Sequence, residues 1–295
     1  MERATLAPDL SVSRILYGRW RVMDDVSDPR HVQEKLEACL ENGITTLDLA
    51  DIYGHYLAES ALGGAFRTAP HLRDRVEIVT KCGIVLPGGP VTARVKHYDT
   101  SARHIRAAVE ASLAKMRIER IDLLLLHRPD PFMDAAETAR ILEALVAEGK
   151  VRALGVSNFA PHDWTLLESA LSLPLVTNQI EVSLTAPQAL LDGRTAFLQA
   201  RGIRPMAWSP LGRGAIFGEG SARLGETLDE IARRHRTGRA AVALAWLMAH
   251  PAGLLPVVGT NRPERIREVA DAMAVDMDRQ TWFELLTAAT GQEVP

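Results

Sequence analysis

Eight short apolar runs, each followed by a segment of helical character, divide this 295-residue chain. The runs are RILYG, GITTLD, VEIVTK, IDLLLLH, VRALGVS, LVTNQI, IRPMAWS and LLPVVG. Strand-like runs alternating with helices predict a parallel sheet, because a parallel pair needs a crossover long enough to hold a helix. Eight such units predict a closed (β/α)8 TIM barrel, for which about 250 residues is typical, rather than an open doubly wound sheet. Expected helices cover residues 29–42, 57–68, a segment after Asp99, and residues 135–150, where Ala136, Ala139, Ile141 or Leu142, Leu145 and Val146 recur at helical spacing. ATLAPDLSV predicts a short N-terminal β-hairpin, and RQTWFELLTAAT predicts one extra C-terminal helix. No linker or break in composition interrupts the pattern, so residues 1–295 are expected to form one domain.

Charge narrows the class of partner. A net charge of −3 and a pI near 6.3 leave no electrostatic footprint for nucleic acid or an anionic membrane, so a small-molecule ligand is expected. The apolar stretch AAVALAWLMA is too short to span a bilayer. Glu2, Arg3, Asp9 and Arg14 interrupt the apolar start, which excludes a signal-peptide core and favours a cytoplasmic location. Cys39 and Cys82 suggest no disulfide framework, and the nine histidines lack the spacing of a metal site.

In a parallel barrel the chemistry sits at the C-terminal ends of the strands and in the loops that follow. Here those ends are Gly18, Asp48, Lys81, His127, Ser157 with Asn158, Asn178 with Gln179, Trp208 with Ser209, and Gly259 with Thr260. Helix capping accounts for serine, threonine and asparagine at such places, but not for lysine, histidine and tryptophan. Strand periodicity joins Ile44, Thr46 and Asp48 on one face, so Asp48 can point into the barrel mouth. The same parity joins Ile121, Leu123, Leu125 and His127, but a fully apolar run does not identify the inner face.

Asp48, Lys81 and a tyrosine, Tyr53, form a coherent chemical set. An ammonium next to a phenol favours phenolate and so lowers its pKa from about 10, while a carboxylate keeps the ammonium charged. Tyr53 could then protonate a carbonyl oxygen as a hydride arrives at carbon, with His127 donating a second hydrogen bond to that oxygen. Protein side chains supply no hydride, which points to a reduced nicotinamide cofactor.

LDLADIYG, VTKCG, LLLLHRPD, GVSNF, TNQIEVS, AWSPLGRG and PVVGTNRPERIRE, in this order, resemble the aldo-keto reductases, in particular a bacterial branch with HRPDP. The resemblance implies an NADPH-dependent reductase of aldehydes or ketones, monomeric, in which Asp48, Tyr53, Lys81 and His127 are the catalytic tetrad. It implies that Ser157, Asn158 and Gln179 hold the nicotinamide carboxamide and that Trp208 lies under the ring. Gly18 and Trp20 join this cofactor set, as do Ser209, Pro210, Leu211, Gly212 and Gly214 of the loop along the pyrophosphate. Gly259, Thr260, Arg262, Arg265 and Glu268 would take the adenosine end, where arginine suits a ribose 2′-phosphate. Gly259 stands where NADPH-preferring members often carry a basic residue, which leaves NADH as the alternative cofactor. Trp20, His55, Tyr56, His97, Tyr98 and Arg128 are candidates to line the substrate pocket. Two other functions stay open: a nicotinamide-binding sensory or channel-accessory subunit, and an NAD-dependent sugar or alcohol dehydrogenase. GVSNF is a poor nucleophile elbow, because Phe159 replaces its final glycine. Asp51 is read as a structural residue of the loop, and Glu59 as a charge favoured in the first turn of a helix.

Overall fold

The computed structural model describes residues 1–19, 28–218 and 222–294. Eight parallel strands close into a barrel: Leu16–Gly18, Thr46–Asp48, Glu77–Cys82, Ile121–Leu126, Val151–Ser157, Leu175–Glu181, Met206–Trp208 and Leu255–Val258. They fall on the eight apolar runs, and each pairs with the next in sequence. IRPMAWS yields only Met206–Trp208, since Pro205 has no N–H for the ladder. Helices fill the crossovers, among them Pro29–Glu41, Ala58–Thr68, Ala102–Met116, Ala135–Ala147 and Arg239–Met248. Side chains set several of their starts: Asp28, Ser101 and Asp134 accept from the backbone N–H of Arg30, His104 and Glu137. The helix expected from residue 57 begins at Ala58 and is separated from the Tyr53–Tyr56 turn.

Two apolar layers follow from strand parity. Tyr17, Leu47, Ile78, Leu124 and Leu126 face outward and pack under the helices. Leu16, Val79, Leu123, Leu125, Ala153, Met206 and Val257 fill the interior. Arg3–Ala7 and Leu10–Ser13 form the expected antiparallel hairpin. Its Ala4, Leu10 and Val12 join the interior cluster, so the hairpin plugs the barrel. With Leu123 and Leu125 inside, His127 leaves the fourth strand on the interior parity, which answers the question that the apolar run left open.

The sixth strand departs from simple alternation. Its pairing with the fifth shifts register between Leu175 and Asn178, so Val176 lies in the interior cluster while Ile180 lies in the outer one. This irregularity turns Gln179 inward. At the other end of the chain, Arg279–Thr290 is the extra helix, capped by Asp278. Trp282 of this helix stacks on Trp246 at 5.0 Å, and each indole N–H donates to the other's carbonyl at 3.0 Å. Among the described residues no helix is long and apolar enough to cross a membrane.

Candidate active site

The buried centre of the barrel mouth is an ion pair. Lys81 Nζ, at the end of the third strand, donates to both carboxylate oxygens of Asp48 at 2.8 Å, to the Leu49 carbonyl at 2.7 Å and to Tyr53 Oη at 3.2 Å. Asp48 Oδ1 also accepts from Gln179 Nε2 at 2.7 Å, which is what the register shift makes possible. Burial alone would lower the Lys81 pKa, but the charge of Asp48 and the bonds to Asp48 and Tyr53 raise it above its ordinary value. The ammonium therefore stays charged although its side chain is fully enclosed.

Tyr53 lies at the cavity edge on a short turn that follows Asp48. Burial pushes its phenol above the ordinary value, and the opposing pull of Lys81 and Arg128 offsets only part of this. The expected net lowering by Lys81 is thus corrected: desolvation of the phenolate is the larger effect, and the phenol is fully protonated at neutral pH. His127 meets the Tyr53 ring edge-on, with centroids 5.7 Å apart. Burial first, and then the positive charges of Lys81, Arg128 and Lys96, hold its imidazole well below the usual range. A neutral ring presents a single N–H. Its Nδ1 is buried without a hydrogen-bond partner among the described residues.

The backbone after Tyr53 is left-handed for three residues, with φ of 57° at Gly54, 52° at His55 and 69° at Tyr56. Two of these carry side chains, at about 1–2 kcal/mol each. The turn sends Tyr56 away from the cavity and under the loop that follows the third strand, where its Oη accepts from the Leu86 N–H at 3.0 Å. A Cβ on Gly89 would stand 2.5 Å from the Tyr56 ring, so only glycine allows this packing. Behind the turn lie two enclosed acids. Asp51 is 6% exposed, and burial followed by the charge of Glu59 lifts its carboxyl to about 8. Glu59 stands in the first turn of its helix as expected, and is also wholly buried, accepting from Thr80 Oγ1 at 2.8 Å and lying 3.9 Å from Lys115 Nζ.

From Asp48, Tyr53 and His127 an elongated cavity of about 710 Å³ runs to Arg262, Arg265 and Glu268. Its near wall is a hydrogen-bonded chain across three strand ends. Trp208 Nε1 donates to Asn158 Oδ1 at 2.9 Å, Asn158 Nδ2 donates to Ser157 Oγ at 2.8 Å, and Ser157 Oγ donates to the Gln179 carbonyl at 2.9 Å. An indole N–H can only donate, so this chain fixes which way the Asn158 amide faces. At the far end, Tyr17 Oη donates to the Thr260 carbonyl at 3.0 Å and steadies the loop after the eighth strand. The lining suits a dinucleotide: amides and a hydroxyl beside a flat indole at one end, and two guanidinium groups at the other.

Most of the residues singled out from sequence meet here. Gly18, Asp48, Tyr53, His127, Arg128, Ser157, Asn158, Gln179, Trp208, Ser209, Pro210, Leu211, Gly214, Gly259, Thr260, Arg262, Arg265 and Glu268 all line the cavity. Lys81 sits beneath it. Gly212 stands behind the lining, at φ 58°, where a Cβ would be 2.1 Å from Thr185 Oγ1. His55, Tyr56, His97 and Tyr98 are not among the lining residues, and Trp20 lies outside the described residues. Sequence reasoning missed Arg213, Phe217, Asn261, Val269 and the Gly238–Arg239–Ala240 segment. Arg239 there holds Asp229 at 2.6 Å and 2.7 Å and donates to the Ile216 carbonyl at 3.1 Å, tying the loop after the seventh strand to two helices. The glycine before an apolar helix was the only local signal.

Comparison with known proteins agrees with this architecture. The profile of the Aldo/keto reductase family matches residues 14–287. A 6-dehydroglucose reductase of Agrobacterium fabrum is 56% identical over the full length of both chains. A second 6-dehydroglucose reductase, from Novosphingobium aromaticivorans, is 39% identical over 97% of this chain and 94% of its own. The crystal structure of a thermostable aldo-keto reductase, Tm1743, in complex with the inhibitor epalrestat superposes with a TM-score of 0.83 at 26% identity, covering 98% of this chain and all of that one. Family profile, full-length relatives and fold agree, and the chain belongs to the aldo/keto reductase family.

Proposed function

We propose that this chain reduces small aldehydes or ketones with NADPH, Tyr53 acting as the proton donor. The observation that carries the reading is the Asp48–Lys81–Tyr53 network, flanked by neutral His127, at one end of a long cavity. Bound reduced nicotinamide would supply the hydride. Ser157, Asn158 and Gln179 would hold its carboxamide, Trp208 its ring, the 209–214 loop its pyrophosphate, and Thr260, Arg262, Arg265 and Glu268 its adenosine end. Two arginines at that end support NADPH over NADH, because a guanidinium fork matches a phosphate dianion.

The roles of the protein groups follow from their protonation. Tyr53, kept protonated by burial, gives its proton to the substrate oxygen. Lys81 at 3.2 Å then stabilises the phenolate left behind, and Asp48 keeps Lys81 charged. Neutral His127 donates to the same substrate oxygen, orienting the carbonyl without competing as an acid. The names of the two relatives make 6-dehydroglucose the first substrate to assay. Both cysteines are free and buried, which supports work in a reducing cytoplasm.

The test is consumption of NADPH against a panel of aldehydes, ketones and sugars, in the wild type and in Tyr53→Phe. Loss of general acid catalysis should lower kcat/KM by about 10²–10⁴ while NADPH binding survives. Tight NADPH binding without turnover of any carbonyl would instead mark a binding module, and full activity in Tyr53→Phe would remove the phenol from its role.

A further inference from the structure

A second cavity, of about 380 Å³, adjoins the first, and Arg128, Asn158, Trp208 and Arg213 line both. Its remaining wall carries Glu181, which ends the sixth strand, and Gln188 and Arg194 from the segment that follows. These side chains differ in how far their charges are satisfied. Arg194 is held by Asp192 at 2.8 Å and 2.6 Å, and Arg213 faces Glu181 at 3.9 Å. Arg128, next to His127 in the chain, makes no ion pair or hydrogen bond among the described residues. Its guanidinium instead stands 5.9 Å from the centre of the Trp208 ring, and that of Arg213 stands 5.6 Å from the same ring.

We propose that this second cavity is a subsite for the hydroxyl-bearing end of a polyhydroxylated aldehyde whose carbonyl lies between Tyr53 and His127. The inference rests on the carbonyl-reductase reading and adds what the enzyme selects for. A hydroxyl both donates and accepts, so a row of them can meet the N–H groups of Arg128 and the oxygens of Glu181 and Gln188 together. An anionic substituent would meet Arg128 but offer no donor to the oxygens of Glu181 and Gln188. An apolar chain would leave both without a partner once water is displaced.

The test compares 6-dehydroglucose with tetrahydropyran-2-carbaldehyde, the same ring and aldehyde without hydroxyls, in the wild type, Gln188→Ala and Glu181→Ala. The wild type should favour the hydroxylated aldehyde by about 10² or more in kcat/KM, since a site built to bond hydroxyls discriminates strongly against their absence. Each variant should lower that ratio by about two- to tenfold, with the hydroxyl-free aldehyde unaffected, as expected for one lost hydrogen bond. Thermal midpoints equal to the wild type would show that the variants are folded. Turnover of both aldehydes with equal efficiency, or variants that slow both equally, would overturn the subsite and leave the reductase reading standing. Succinic semialdehyde preferred over butanal by a larger factor would show that the arginines select charge, and would overturn it too. If neither ring aldehyde nor any other carbonyl is consumed, the reductase reading fails and the subsite falls with it.

Discussion

Asp51→Asn should make the protein less sensitive to alkali. In the fold the Asp51 carboxyl is pushed to about 8, mainly by burial and further by Glu59. In an unfolded chain an aspartate titrates near 3.9. Between those values the folded state holds a proton that the unfolded state has released, so this group's contribution to stability falls as pH rises through the window and is lost above about 8. From pH 6 to pH 8 the loss is about 2–3 kcal/mol, at about 1.4 kcal/mol per pH unit. Asparagine keeps the shape and neutrality of the protonated acid and has no proton to lose. Urea denaturation of both proteins at pH 6 and pH 8 measures the difference. At pH 6, well above the unfolded value, Asp51→Asn should already be the more stable protein, and its advantage over the wild type should grow by that amount at pH 8. Parallel pH dependence in the two proteins would refute the argument, because it would mean that Asp51 is already ionised in the fold at pH 6.

Lys81→Met leaves Asp48 enclosed without its ammonium, and should lower stability by about 3–5 kcal/mol, read as a drop in thermal midpoint. Trp208→Phe keeps an aromatic ring but frees the Asn158 amide. NADPH should then bind about two- to tenfold more weakly by fluorescence titration, the effect of one hydrogen bond, and an unchanged Kd would show that the bond at 2.9 Å has no part in cofactor affinity. Arg265→Ala should weaken NADPH about tenfold or more and NADH hardly at all, since only the former carries the phosphate that a charge-assisted bond would grip. Equal losses for both cofactors would contradict that placement.

The barrel was legible because its signals are local. Apolar runs of strand length, caps such as Ser101 and Asp134, and the parity of Thr46 and Asp48 all lie within a few residues of what they determine. That Asp48, Lys81 and His127 share one rim followed from strand ends once a closed barrel was expected; Tyr53, which ends no strand, joined them through the chemistry of a phenol beside an ammonium and through the family resemblance. Three things were not legible. The register shift before Asn178, which aims Gln179 at Asp48, depends on pairing between strands. The direction of the Tyr53 shift depends on how much of the ring is enclosed, which the neighbouring lysine does not reveal. The left-handed turn that removes Tyr56 from the cavity requires conformations that histidine and tyrosine seldom adopt, so no propensity would have selected it.

That turn bears on how the protein could be re-engineered. Tyr53 and Tyr56 are the two ends of one short, strained arch, and the far end is tethered to Leu86 and packed on Gly89. The loop in which Leu86 and Gly89 stand looks replaceable, a place to graft segments from relatives in search of new substrates. It is also the abutment of the arch that carries the proton donor. A graft that keeps a backbone N–H at 86 and a glycine at 89 should preserve the rate of the chemical step, whereas one that drops them will confound altered selectivity with a displaced phenol.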